Sequence, residues 1–168
     1  MSAETAYDDA ARTFTLTLKQ HVPPTPGQPD KKPMHIPVAL GLIGPNGEDM
    51  NLSPPVSAHT QSSPPPAEGE NNGTVILNLT KPEQTFTFEN IASKPVPSIL
   101  RNFSAPIKLT TDLSDDDLAF LMVHDTDGFN RWEAGQSYML RTLNAILTHS
   151  PPDSTCAESS PPLAGGQG

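Results

Sequence analysis

The residues with the most chemical potential are five histidines: His21, His35, His59, His124 and His149. A zinc site built on histidine places two rings one helical turn apart, as in H-E-x-x-H, so that both reach one ion. No pair here has that spacing on a helix. They fall in Pro-rich loops, a strand and helix ends, and read as solvated or core side chains. Asp125-Thr126-Asp127-Gly128 has the look of a calcium loop. Aligning Gly128 with the glycine of an EF-hand puts Val123 at the first ligand position and Ala134 at the last, where the loop requires acids. The segment therefore reads as a turn between helices, with Asp127 or Asn130 as the N-cap. Asn51, Asn72, Asn78 and Asn102 each open an N-x-Ser/Thr triplet, which chance supplies in a chain rich in Ser and Thr. There is neither a G-x-S-x-G elbow nor a Gly-rich phosphate loop. No catalytic, cofactor-binding or metal-ligating residue is assigned.

The rest of the composition narrows the classes further. The 168-residue chain carries 10 basic and 19 acidic residues, a net charge of -9, which disfavours phosphate backbones and anionic membrane surfaces. Neither nucleic acid nor a membrane is expected as a partner. Cys156 is the single cysteine, so an intrachain disulfide and a four-cysteine zinc site are both excluded. With 20 prolines, long helices are disfavoured over most of the chain, and loops, turns and edge strands are favoured. Met1 to Arg12 lacks the basic and apolar regions of a signal peptide, and no apolar run approaches the roughly 20 residues of a membrane span. A cytoplasmic or organelle-stromal setting is the expectation.

Hydrophobic periodicity supplies the elements. Phe14, Leu16 and Leu18 alternate with threonines between Arg12 and Gln20, the period of a half-buried strand. Met34 to Ile43 reads as a more buried strand, with Pro37 requiring an edge or a bulge. Gly44-Pro45-Asn46-Gly47 is a turn leading to a short strand at Asp49 to Leu52. Ser53 to Gly73 offers almost nothing to bury and reads as a disordered loop. Thr74 to Leu79 and Gln84 to Glu89 alternate again, and the short Lys81-Pro82-Glu83 link predicts a hairpin. Ile99 to Phe103 and Pro106 to Thr111 are expected as the last strands. Short strands without a helical pattern among them indicate a β-sandwich.

The period then changes. Ser114 precedes three acids, Asp115 to Asp117, which suits a helix N-terminus, although Asp117 stands where a capping box prefers Glu or Gln. Leu118, Leu121 and Met122 predict a helix ending near His124. Phe129, Trp132, Met139, Leu140, Leu143, Ile146 and Leu147 predict a second, from Asp127 or Phe129 to Thr148. The stripe around Trp132 reads first as core packing. An isolated helix pair seldom buries everything, so apolar surface left over should seek the sandwich or another domain. The organisation expected is a sandwich over 1–111 with a loop about 53–73, first helices of a further domain over 112–149, and a disordered tail over 150–168.

Four stretches carry a resemblance: Thr25 to Leu42 (TPGQPDKKPMHIPVALGL), Glu83 to Ile91 (EQTFTFENI), Lys94 to Leu109 (KPVPSILRNFSAPIKL) and Phe120 to Gln136 (FLMVHDTDGFNRWEAGQ). In this order, covering most of residues 7–148, they resemble alanyl aminopeptidases of the aminopeptidase N type, which are zinc metallopeptidases. The resemblance implies a mainly β fold: an immunoglobulin-like sandwich followed by the first two helices of a C-terminal helical domain. The family's H-E-x-x-H and G-A-M-E-N motifs do not occur here, so zinc is implied only outside this segment, and no catalytic residue carries over. The implied partners are the family's catalytic and helical domains, in cis or in trans, and the implied role is to space and dock one against the other. Another strand is expected upstream of Tyr7, with too few residues to supply it, so a sheet edge should be unpaired. The competing reading is a free-standing sandwich that serves as a binding module, suggested by the start at Met1, the hydrophilic tail and the acidic surface.

Overall fold

The computed structural model describes residues 1–53, 55 and 73–149, the side chain of His149 excepted. Most of the expected disordered segments at 53–73 and 150–168, together with His59, Asn72 and Cys156, lie outside these residues. Seven strands come first: β1 (Ser2–Asp8), β2 (Thr13–Lys19), β3 (Ile36–Ile43), β4 (Thr74–Leu79), β5 (Glu83–Phe88), β6 (Val96–Ile99) and β7 (Thr110–Thr111). Two helices follow, α1 (Asp115–His124) and α2 (Gly128–His149). One sheet has the order β5-β2-β1-β7 and the other β4-β3-β6. Alternation works as the pattern requires: Leu16 pairs with Phe86 and Phe14 with Phe88, and all four point into the space between the sheets. Val38, Leu40, Leu42, Leu77 and Leu79 fill that space from the other side.

Several expectations are corrected. The N-terminal residues form β1, which pairs antiparallel with β2 and, at Ser2 and Ala3, parallel with β7. The sheet edge that the sequence suggested was missing its strand is thus supplied by the first residues of this chain. β4 and β5 do not form a hairpin, because β4 joins β3 and β5 joins β2. The chain from Thr80 to Pro82 steps between sheets, so that Leu77 and Leu79 face Phe86 and Phe88 across the core. The last strands also shift. Val96–Ile99 is the strand, Pro97 included, and left-handed φ at Leu100, Asn102 and Phe103 turns the chain into a 3-10 turn at Arg101–Phe103. Only Thr110–Thr111 of the last segment is extended into a ladder, and Asp49 makes a single bridge to Ile43 in place of a strand.

Pro37 lies in the central strand of its sheet, yet its position is locally an edge. β6 pairs only with Leu40 to Ile43, so the side of Pro37 that would need a donor has no ladder. The backbone amide of Ala39, two residues on, turns instead to the Ser104 hydroxyl. β3 is covered on both faces. Val38, Leu40 and Leu42 enter the sandwich core, while Ile43 packs with Leu118, Leu121 and Ala134 in a second, smaller core under the helices. A strand buried on both sides explains the run of apolar residues in V-A-L-G-L-I.

Candidate functional site: an arginine clamp and an uncovered helix face

Arg101 is the only basic residue buried among the described residues, and it joins the sandwich to the helix pair. The 3-10 turn lifts its side chain over β3, where Gly41 leaves room. A Cβ on Gly41 would collide with the guanidinium. Arg101 grips Asp49 through both terminal nitrogens, Nη2 to Oδ1 at 2.6 Å and Nη1 to Oδ2 at 3.0 Å. This two-pronged geometry is the strong form of an arginine–carboxylate bond. Nε donates to the Ser98 hydroxyl at 2.9 Å, and Nη1 also donates to the Thr74 hydroxyl. Nη2 reaches Asp125 Oδ1, the first residue after α1, at 3.5 Å.

The turn between the helices plugs into the same place. Thr126 donates its hydroxyl to Asp49 at 2.9 Å. Asp127 accepts the amide of Asn130 through Oδ1, which caps α2, and the amide of Asn102 through Oδ2. Asn130 donates to the Ser98 hydroxyl and to the Ile99 carbonyl. The acids that resembled a calcium loop therefore hold backbone amides and an arginine. Their grouping leaves no room for an ion, since the guanidinium fills the space between Asp49 and Asp125. Among the described residues no other group of His, Cys, Asp and Glu has a metal-ligating arrangement. A zinc ion does not fit these residues. Asp125 has its carboxyl raised above the ordinary value, by burial in the first place and against the lowering pull of Ser98, the Asp127 amide and Arg101.

The helix starts are built from local chemistry. Ser114 caps α1, and its partner Asp117 closes a full capping box by accepting from the Ser114 amide, so the aspartate is long enough after all. Arg141 donates to the Leu113 carbonyl and pairs with Asp115 at 3.1 Å, a second tie between the two helices.

The outward side of α2 is the other notable surface. At 3.6 residues per turn, Asn130, Ala134 and Arg141 fall on the side facing α1 and the sandwich, while Trp132, Met139, Leu143 and Ile146 fall opposite. The apolar stripe is therefore not core in this chain: Trp132 is 57% exposed and Leu147 is 72% exposed. The physical reason is that the small and polar side of α2 is the one that fits over α1. Phe103 and Phe129 meet edge to face at 5.3 Å, and Trp132 continues the cluster at 5.9 Å from Phe129. This aromatic group heads an apolar band that runs to the end of the helix.

Among the described residues the histidines stay apart. His35 bonds Asn78 at 2.7 Å, His124 stacks on Phe120 and packs on the Gly47 turn, and His21 is exposed. Of the triplet asparagines, Asn78 is held by His35, and Asn102 lies in the 3-10 turn. Sequence reasoning missed Arg101 and Asp49. The one signal available was a lone charge inside the apolar run I-L-R-N-F.

Residues 1–112 match a family described as a domain of unknown function (DUF3458) with an Ig-like fold, and residues 115–162 match its companion of ARM repeats. Aminopeptidase N of Escherichia coli (strain K12) is 38% identical over 133 residues, which are 79% of this chain and 14% of that protein. Aminopeptidase N of Haemophilus influenzae is 33% identical over 141 residues, covering 82% of this chain and 14% of the relative. Aminopeptidase N of Caulobacter vibrioides is 40% identical over 150 residues, covering 89% and 15%. The chain thus spans about one seventh of the length of the curated relatives it matches. The crystal structure of Legionella pneumophila aminopeptidase A in complex with aspartic acid superposes with a TM-score of 0.64 at 24% identity, over 89% of this chain and 14% of that one. That likeness establishes the fold.

Proposed function

We propose, from the premise that this chain belongs to the Ig-like family DUF3458 and continues into its ARM-repeat companion, that it is a non-catalytic structural portion of an alanyl aminopeptidase. The parent activity would be zinc-dependent removal of N-terminal amino acids from peptides. Zinc there supplies polarisation of the scissile carbonyl and activation of water, and it is bound outside this segment. What this chain's own residues do is architectural. The sandwich is the base, the Arg101 clamp holds the turn between α1 and α2 at a fixed angle on it, and the outward face of α2 receives the helices that follow in an ARM array. The partners are the catalytic and helical domains of the parent enzyme, in cis or in trans.

The observation that carries this reading is the pairing of a closed inner side with an open outer one. The turn between the helices is tied to the sandwich by Thr126, Asp127 and Asn130, while Trp132, Met139 and Leu143 stand 49–57% exposed. Repeat helices bury their faces only against neighbouring repeats, so a first pair with an open apolar face is what an ARM array begins with. The test is an assay of the purified chain with alanyl-p-nitroanilide and zinc, together with binding of an apolar fluorescent dye. No release of nitroaniline and strong dye fluorescence are expected. Zinc-dependent release would overturn the reading.

The second reading, a free-standing interaction module without enzymatic activity, draws on one observation. β7 pairs with β1 at Ser2 and Ala3, so β1 is not an edge of its sheet. It requires a cooperative melt with no dye binding to native protein, and dye uptake before the melt counts against it.

A further inference from the structure

Among the described residues, α2 carries most of the large apolar side chains that stand exposed. Trp132, Met139, Leu140, Leu143 and Leu147 are 49–72% exposed, and Phe103 and Phe129 widen the band at its N-terminal end. Together they present roughly 600 Å2, at the upper end of the patches found on monomers and below the about 800 Å2 that each partner gives to a standard interface. The band holds no charged residue. Arg131 and Glu133 flank it at the start of α2, and Arg141 turns away to Leu113 and Asp115. From Thr142 to Thr148 every residue is exposed, so the last two turns of α2 stand clear of α1.

Cover from inside the chain is poor in apolar groups. Residues 54, 56–72 and 150–168 offer only Val56 and Leu163 as large aliphatic side chains. A second copy brings the same band. The geometry points to a self-association surface, on which a second copy of this chain lays its own α2 antiparallel to the first. With the twofold axis between Met139 and Leu140, Trp132 of one copy meets Leu147 of the other. The aromatic head of each band then receives the aliphatic end of its counterpart, an interface of the self-complementary kind. Arg131 and Glu133 of each copy lie beside the uncharged stretch from Asn144 to Thr148 of the other, so like charges stay apart. The projecting turns, marginal as helix on their own, gain a neighbour. The area is that of a weak contact, with a dissociation constant on the order of 100 µM, so at about 1 µM the chain is monomeric and its band is open to dye. The pairing shares the open face with the structural reading above and goes beyond it. Helices that follow in an ARM array would compete for that face, so the pairing is a property of these 168 residues by themselves.

The test is sedimentation of the 168-residue chain from about 5 µM to about 500 µM, a range that brackets the expected constant. The weight-average mass should rise from that of one chain toward that of two. Leu143→Arg should hold it at one chain throughout, with an unchanged circular dichroism spectrum. If Leu143→Arg fails to fold, Leu140→Arg, at a position 60% exposed, replaces it. Orientation is read by oxidation at the highest concentration in a Cys156→Ser background. Met139→Cys, beside the axis, should form a linked dimer at least tenfold faster than Arg131→Cys, which antiparallel pairing holds at opposite ends. A wild-type chain that stays monomeric overturns the proposal. So does a dimer that survives Leu143→Arg or Leu140→Arg, because another surface then makes it. Growth past two chains would mean a head-to-tail contact that does not close, and equal linking rates would mean parallel helices; either result also overturns it. The aminopeptidase assay above is independent of these outcomes: a monomer leaves the structural reading standing, and zinc-dependent release of nitroaniline leaves the pairing standing.

Discussion

The sandwich and the helix pair solve the same problem to different degrees. In the sandwich, Leu16, Leu18, Leu40, Leu79 and Phe86 are fully enclosed, and each inward face finds another inward face. In the helix pair, among the described residues, only Leu118, Leu121 and Ala134 are buried, none of them completely, on a floor provided by Ile43. Its position is instead set by polar bonds around Arg101, while its largest apolar side chains look outward. The sandwich specifies itself through burial. The helix pair borrows its inner surface from the sandwich and leaves its outer surface for something else.

Four variants break or sharpen that contrast. Phe86→Ala, in the centre of the sandwich, should cost about 3–5 kcal/mol and unfold both regions together, as a urea melt followed by circular dichroism would register. Arg101→Met removes the cation from the buried carboxylate of Asp125 and the largely buried one of Asp49, and should also cost roughly 3–5 kcal/mol, since breaking a buried pair strands its partners. Its signature differs from that of Phe86→Ala. Hydrogen exchange should lose protection in α1 and α2 while β2, β3 and β5 keep theirs, and equal loss in both regions would erase the distinction between them.

The pH dependence of the clamp is a smaller effect. Asp125 has its carboxyl raised in the folded chain above the ordinary 3.8. The folded state therefore binds this proton more tightly than the unfolded state, and the contribution of this group to stability falls as pH rises through that interval. Other carboxylates obscure this in the wild-type curve. The difference between wild type and Asp125→Asn isolates it: the wild type should gain on the variant as pH is lowered from neutral toward 3.8. A difference that grows in the opposite direction would mean that Arg101 dominates over burial. The smallest effect belongs to the open face. Trp132→Gln with Leu143→Gln should move stability by no more than about 0.5 kcal/mol per site and abolish dye binding. A large loss of stability would show that this face is covered in solution.

Much of the sandwich was legible because its residues alternate. Thr13 to Lys19 and Thr74 to Leu79 were readable as strands from their own few residues, and so were Ser114 as a cap and the turn at Asp125 to Gly128. Errors arose where the deciding partner was remote. A short link between two alternating segments is compatible with a hairpin or with a step between sheets, and β4 and β5 take the step because each finds a better neighbour in β3 and β2. The clamp was illegible for the same reason. Arg101 and Asp49 stand 52 residues apart, and nothing near either one indicates the other.

Local sequence determined the kind of β2, β3, β4, β5, α1 and α2 and the existence of an apolar band on α2, because periods of two and of 3.6 are properties of neighbouring residues. Its longer motifs also carried the family. Tertiary structure alone decided which strands share a sheet, which side of α2 turns inward, and that two aspartates converge on one arginine. Periodicity says that an element has two faces. What covers each face depends on residues brought close by the fold, and that information is absent from any short window of the chain.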